Sequence, residues 1–224
     1  MRKLLAAIDA AKAAHKSEVD TDREAREAIR IEREAIPQVE AISVPYQEAD
    51  IPKLDAYPEP HLVPTGLMTQ YVIEVVRIEQ PIHTDEVAKR VARAWGAQRT
   101  GTRIRTGVAK ALSVAKAEGK LAGEPFWRLP DGTVQVRDRS SVGSASLRQP
   151  ELLPPAEIDQ AIIEAISRSV AVDNEEVARG VAEALGFSAT SAQLRAVVGE
   201  RARRLVAAAT ITETHGLLRL ASGT

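Results

Sequence analysis

A shift of 90 residues lays one stretch of this sequence over another, and no other feature constrains the fold as tightly. Glu86-Val87-Ala88 falls on Glu176-Val177-Ala178, Val91-Ala92 on Val181-Ala182, Ala94 on Ala184, and Gly96 on Gly186. Thr100 meets Thr190, Ile104 meets Leu194, Arg105 meets Arg195, and Val108 meets Val198; upstream, Val72-Ile73 meets Ile162-Ile163. With a one-residue slip, Phe126-Trp127-Arg128-Leu129 lies over Leu217-Leu218-Arg219-Leu220. Apolar and glycine positions match alike, so both copies must bury the same face and turn at the same places. The repeat is too long for a solenoid unit, so each copy is expected to be a small domain.

Within the first copy, Met68, Tyr71, Val72, Val75 and Val76 predict a helix from about Leu67 to Ile78, broken by Gln80-Pro81. Thr84 is expected to cap a second helix with Asp85 and Glu86 in its first turn, where acids suit the helix dipole; Trp95-Gly96 ends it. A third helix runs from about Gly101 to Glu118, with Thr100 as its expected cap and Gly119 as its stop. Lys120-Leu121-Ala122 and Phe126-Trp127-Arg128-Leu129 read as a hairpin about Gly123-Glu124-Pro125, and Val134-Gln135-Val136 as a third strand. Of Phe126 and Trp127 one must face inward, because neighbours on a strand alternate. The second copy repeats the order, with helices near 156–168, 174–185 and 190–208 and a hairpin about His215-Gly216. Three helices followed by a hairpin is the winged helix-turn-helix order.

The fold class is therefore mainly α with small β-hairpins: tandem winged helix-turn-helix domains after an N-terminal helical segment. The segments are a helical tail (1–36), a proline-rich strap (37–66), the first copy (67–137), an interdomain linker (138–155) and the second copy (156–224). The first of these reads as helix from Leu4 with no capping residue, as in a chain cut from something longer, and the capping-box pair Thr21 and Glu24 opens a second, highly charged helix. Six prolines between Pro37 and Pro64 rule out a helix in the strap, and Tyr46 and Tyr57 could pin it to a neighbouring surface. Aromatics at 3% fit closely packed Ala- and Val-rich helices better than a β-sandwich. The chain has no cysteine, which excludes disulfides and thiolate metal sites, and no apolar run long enough to span a membrane. The start, Met1-Arg2-Lys3-Leu4-Leu5, is not followed by the unbroken apolar stretch of a secretory signal; a cytoplasmic location is expected.

A net charge of −1 conceals a division along the chain. Residues 1–60 carry 9 Lys/Arg against 13 Asp/Glu, residues 61–140 carry 13 against 8, and residues 141–224 carry 8 against 10. Any polyanion contact belongs to the basic middle. There, on the third helix, Ile104, Val108, Ala111, Leu112 and Ala115 share one side at about 100° per residue. The other side carries Thr102, Thr106, Ala109 and Ser113 between the cations Arg103, Arg105, Lys110 and Lys116. Small groups in the middle allow close approach to a groove, and basic shoulders can meet phosphates. Arg99, the wing residues Lys120 and Arg128, and Arg195 in the second copy complete the expected DNA-contacting set. The second copy is less basic there, with Glu200 where Lys110 stands, so it is expected to pack on the first copy or bind protein. No catalytic constellation is present. Phosphate-loop and dinucleotide glycine patterns are missing, and His15, His61, His83 and His215 have no metal-ligand spacing. Ser140, Ser141 and Ser144 fall in an expected flexible stretch with no adjacent base.

Pro81-Ile82-His83-Thr84-Asp85-Glu86-Val87, continuing through Trp95-Gly96, Arg99-Thr100-Gly101 and Arg103-Ile104-Arg105, resembles an uncharacterised bacterial domain. So do Val136-Arg137-Asp138-Arg139-Ser140, Leu147-Arg148 and Pro150-Glu151-Leu152-Leu153-Pro154-Pro155. That domain closes large superfamily 1 helicase-related proteins, after a Vsr-like endonuclease domain. The resemblance is specific over residues 67–155 and looser in the second copy, and residues 1–36 are similar to the helical tail after the nuclease. It implies the C-terminal region of a DNA-processing or phage-defence protein, with DNA and the upstream nuclease and helicase domains as partners. The helicase and nuclease motifs themselves are absent. The expected function is thus non-catalytic DNA binding without cofactor or metal; the alternative is a protein-interaction or scaffolding module with no nucleic-acid contact.

Overall fold

The computed structural model describes residues 43–169 and 171–221, so the helical segment expected over 1–36 lies outside the described residues. The described chain is mainly helical, with six helices and only short strands. It opens with β1 (Val44–Pro45) and a single 3-10 turn, Pro60–Leu62. Then follow α1 (Thr65–Glu79), β2 (Ile82–His83), α2 (Thr84–Ala94), α3 (Thr102–Ala117) and β3 (Phe126–Trp127). β4 (Arg137–Asp138) and two 3-10 turns, Ala145–Arg148 and Pro150–Leu152, lead to α4 (Pro155–Ser167), β5 (Val172–Asp173), α5 (Asn174–Ala184), α6 (Ala192–Ala207), β6 (Ile211–Thr214) and β7 (Leu217–Leu220). The two halves share one element order at a shift of 90 from the 3-10 turns at Pro60 and Pro150 to the end of the third helix; beyond it the shift is 91, and the first half has the one strand β3 where the second has β6 and β7.

Each half has its own apolar core. In the first, Met68, Tyr71, Val72, Val75 and Val76 of α1 meet Val87 and Val91 of α2 and Val108, Ala111, Leu112 and Ala115 of α3. In the second, Ile158, Ile162 and Ile166 of α4 meet Val177 and Val181 of α5 and Leu194 and Val198 of α6. The stripes recur every three or four residues, so each helix buries one side and leaves the other to water. Gly96 (φ 71°) and Gly186 (φ 77°) reverse the chain after α2 and α5 in the left-handed conformation that favours glycine.

Both expected caps in the first half are corrected. His83 caps α2, its Nδ1 accepting from the Asp85 N–H at 3.2 Å. Thr84 instead donates its hydroxyl to the Pro125 carbonyl and accepts from Trp127 Nε1 at 2.7 Å. Gly101, not Thr100, stands at the start of α3 and offers no side-chain cap.

The hairpins also differ from expectation. In the second half the sheet order is β5-β7-β6, and β6 and β7 turn through His215 (φ 52°) and Gly216 (φ 75°), as a two-residue hairpin requires. In the first half β3 pairs with β2, Ile82 opposite Trp127, just as Val172 lies opposite Leu218. The expected strand Lys120–Ala122 shrinks to the single bridge between Ala122 and Arg128. Pro125 has no N–H to donate, and the Gly123 backbone passes so close to the Phe126 carbonyl that a Cβ there would lie 2.1 Å away. Trp127 is the inward residue, 2% exposed, and Phe126 is half-buried against His83.

Val134–Val136 does not extend that hairpin. Val136 is buried in the second-half core, which carries the chain away, and β4 pairs in parallel with β1, Val44 opposite Arg137. The stretch expected to be flexible around Ser140–Ser144 is folded back instead: Val142 and Leu147 pack with Tyr46, and the Arg139 N–H bonds the Leu185 carbonyl at 3.0 Å.

Candidate nucleic-acid interface

α3 carries its apolar stripe inward and thereby fixes what faces water. Thr102, Arg103, Arg105, Thr106, Lys110, Ser113 and Lys116 are all exposed. The helix holds four cations and no acid. Arg103, Arg105 and Lys110 have no carboxylate partner among the described residues, and neither does exposed Arg99 in the turn before the helix. The Ser113 hydroxyl donates to the Ala109 carbonyl one turn back, which leaves its oxygen able to accept.

The remaining expected cations are engaged elsewhere. Lys116 pairs with Glu124 at 3.0 Å and lies over the Trp127 ring. Lys120 pairs with Glu118 at 2.9 Å. Arg128 donates to the carbonyls of Leu129 and Pro130 in its own turn. In the second half Arg195 pairs with Glu175 at 2.9 Å, Arg204 with Glu200 at 2.7 Å, and Arg201 with Asp159. Exposed pairs of this kind contribute about 0–1 kcal/mol, so a phosphate could displace them, but they lower the local positive charge meanwhile. Equivalent helices of the two repeats thus differ electrostatically: α3 presents free cations and α6 largely neutralised ones.

Behind α2 lies a buried ion web. Glu79, at the end of α1, accepts two bonds from Arg90, at 2.6 and 2.8 Å, one from the Tyr46 hydroxyl at 2.8 Å and one from the Ala49 N–H at 2.7 Å. Arg90 also approaches Glu86 and Glu48. Glu86, expected only to suit the dipole of α2, is buried, pairs with Lys89 at 2.7 Å and accepts from Ser146 at 2.6 Å. Burial acts to raise its pKa, but the bonds from Lys89 and Ser146 hold it below the usual value. On β4, Arg137 donates to the Glu79 and Pro81 carbonyls at 2.6 and 2.9 Å and to Glu157 of α4 at 2.6 Å. Arg139 binds both oxygens of the same Glu157 at 2.8 and 2.7 Å, and both guanidinium groups lie over the Tyr46 ring. Burial pushes the Tyr46 hydroxyl well above its ordinary pKa.

Sequence reasoning missed this web, although one signal was available. Arg137 and Arg139 are separated by one residue, so on a strand they share a face. Two arginines on one face of a buried strand require a carboxylate opposite them.

No helix among the described residues is long and apolar enough to cross a membrane. A family model described as "Protein of unknown function (DUF3320)" matches residues 59–106, the stretch from the first 3-10 turn through α1 and α2 into the first turn of α3. The similarity therefore takes in an uncharacterised domain. No curated protein and no solved structure matches the chain.

Proposed function

We propose that this chain is a non-catalytic DNA-binding region built from two winged helix-turn-helix units, with α3 as the element that meets DNA. The observation that carries the reading is the outer face of α3: Arg103, Arg105 and Lys110, exposed and without carboxylate partners, beside Thr102, Thr106 and Ser113. Small hydroxyls let the helix backbone approach base edges while the cations on its shoulders meet phosphates. The paired helices α2 and α3 and the turn through Gly96 support the helix-turn-helix reading, and β7 with its hairpin supports a wing in the second unit. The resemblance of Pro81–Arg105 and Val136–Pro155 supports the reading of this chain as a C-terminal region of a helicase- and nuclease-type polypeptide inside a bacterial cell. There it would hold DNA for catalytic domains it does not contain.

The second unit reads differently. Arg195 and Arg204 are neutralised by Glu175 and Glu200, so α6 is the better candidate for a contact with protein, such as the upstream domains.

The test is a salt titration of duplex binding by the full chain. Each phosphate neutralised contributes about −0.9 to the slope of log affinity against log salt. Arg105→Ala with Lys110→Ala is expected to flatten that slope by up to about 2 units. The midpoint of thermal unfolding should not move, because both side chains are exposed. A wild-type chain that binds no DNA at low salt would reject the reading and favour the scaffolding alternative.

A further inference from the structure

The two repeats share the backbone of the turn before the third helix but fill it differently. In both, a left-handed glycine is followed by an N–H bonded at 2.9 Å to a carbonyl of the preceding helix: Ala97 to Ala92, and Phe187 to Ala182. In the second repeat the residue before the glycine, Leu185, is fully buried, and Phe187 after it packs against the core. In the first repeat these positions hold Trp95, only half-buried, and Ala97, exposed. Beside them opens a pocket of about 450 Å³, lined chiefly by Pro58, Pro60, Trp95, Ala97, Arg103 and Ile104.

One wall of the pocket is a tryptophan held in place by its own contacts. Trp95 is fixed in place, its indole N–H donating to the Tyr57 carbonyl at 2.9 Å and its ring tilted against Tyr71 with centroids 5.5 Å apart. The wall is therefore set before any ligand arrives, which lowers the ordering cost of binding. The rim is polar, with Arg103, Thr102, His61 and Glu59 along it. Arg103 has no carboxylate partner among the described residues, and the one acid there, Glu59, is 3.0 Å from His61 Nδ1. An aromatic side chain and a free guanidinium on one pocket match an aromatic ring joined to a phosphate.

We propose that this pocket receives one unpaired base of DNA held along α3, the base stacking on the Trp95 side and its phosphate meeting Arg103. The proposal rests on the DNA reading of α3 and adds a substrate preference: DNA with an unpaired nucleotide over fully paired duplex. The second repeat does not share these residues: Leu185 stands at the position of Trp95, Phe187 at that of Ala97 and Gln193 at that of Arg103.

Trp127, the other tryptophan, is 2% exposed and lies under Lys116, so no base can stack on it and quenching that is lost with Ala97→Phe reports Trp95. The full chain is titrated with a fully paired duplex and with the same duplex carrying one unpaired thymidine. The unpaired probe is expected to quench emission and to bind about tenfold more tightly, the usual scale of one base stacked on an aromatic side chain. Ala97→Phe, which copies the second repeat at an exposed position, should abolish both the quench and the preference while leaving paired-duplex affinity unchanged. Binding of both probes with equal affinity and no quench would overturn the pocket and leave the DNA reading standing. A preference that survives Ala97→Phe would also overturn it. Failure of both probes to bind at low salt would remove the pocket and the DNA reading together. Quenching by an apolar peptide lacking phosphate, as tight as that by the unpaired probe, would overturn the proposal in favour of a protein ligand.

Discussion

Glu157 is fully buried, and both of its oxygens are bound by guanidinium groups that have little water of their own. Burial alone would raise its pKa; Arg139 and Arg137 hold it below the usual value of 4.5. Glu157→Gln keeps the shape and removes the charge, leaving two buried cations uncompensated. The expected cost is about 3–5 kcal/mol, read from the denaturant midpoint. At this scale helical periodicity correctly separated the exposed cations of α3 from its apolar stripe. It could not show that Lys116, Lys120 and Arg128 are engaged while Arg103, Arg105 and Lys110 are free, because their partners lie on turns whose path is set by packing. The caps failed for a related reason: Thr84 is drawn off by Trp127 and Pro125, some 40 residues away in sequence, and His83 takes its place.

The elements end where glycine permits. Gly96 and Gly186 have the same left-handed φ and the same place in their repeats, but different neighbours. A Cβ on Gly96 would meet nothing within 4 Å, whereas one on Gly186 would lie 1.9 Å from Asp138 Oδ1 and 2.5 Å from the Ser140 nitrogen. Gly96→Ala is expected to cost about 1 kcal/mol from the left-handed backbone alone. Gly186→Ala should cost distinctly more, since β4 and the chain after it must also shift. Urea unfolding of the two variants makes the comparison, and equal costs would show that this stretch yields freely. Helix ends and helix faces were legible because glycine, proline and apolar spacing act within a turn or two. The first-half hairpin was not: its residues have strand propensity, but Pro125 and the close backbone at Gly123 allow only one bridge.

Across the whole molecule Arg137 joins the C-terminal end of α1 to the first turn of α4, and β1 clasps the same strand from the other side. The halves are thereby expected to unfold in one calorimetric transition. Arg137→Met should separate it into two; a single transition at a lower midpoint would assign the coupling to β1 and Arg139 instead. The web also sets the response to acid. Glu157 and Glu86 have folded-state pKa values below their ordinary 4.5, so their contribution is complete above that value. It is lost as pH falls through the lower folded-state values. Thermal stability should therefore decline below about pH 4.5, and Glu157→Gln should flatten that decline.

The duplication, the order of helices, the places where they stop and the faces they bury were all determined by the sequence alone, because each is encoded in residues that are neighbours along the chain. Tertiary structure decided what distant residues do to one another: β1 beside β4, Arg137 and Arg139 on Glu157, and Trp95 left beside an open pocket. Such pairings join positions tens of residues apart, and a side chain's choice among several possible partners depends on how both cores pack. Local pattern carries no information about that choice, so the free cations of α3 and the pocket beside them became visible only once the chain was folded.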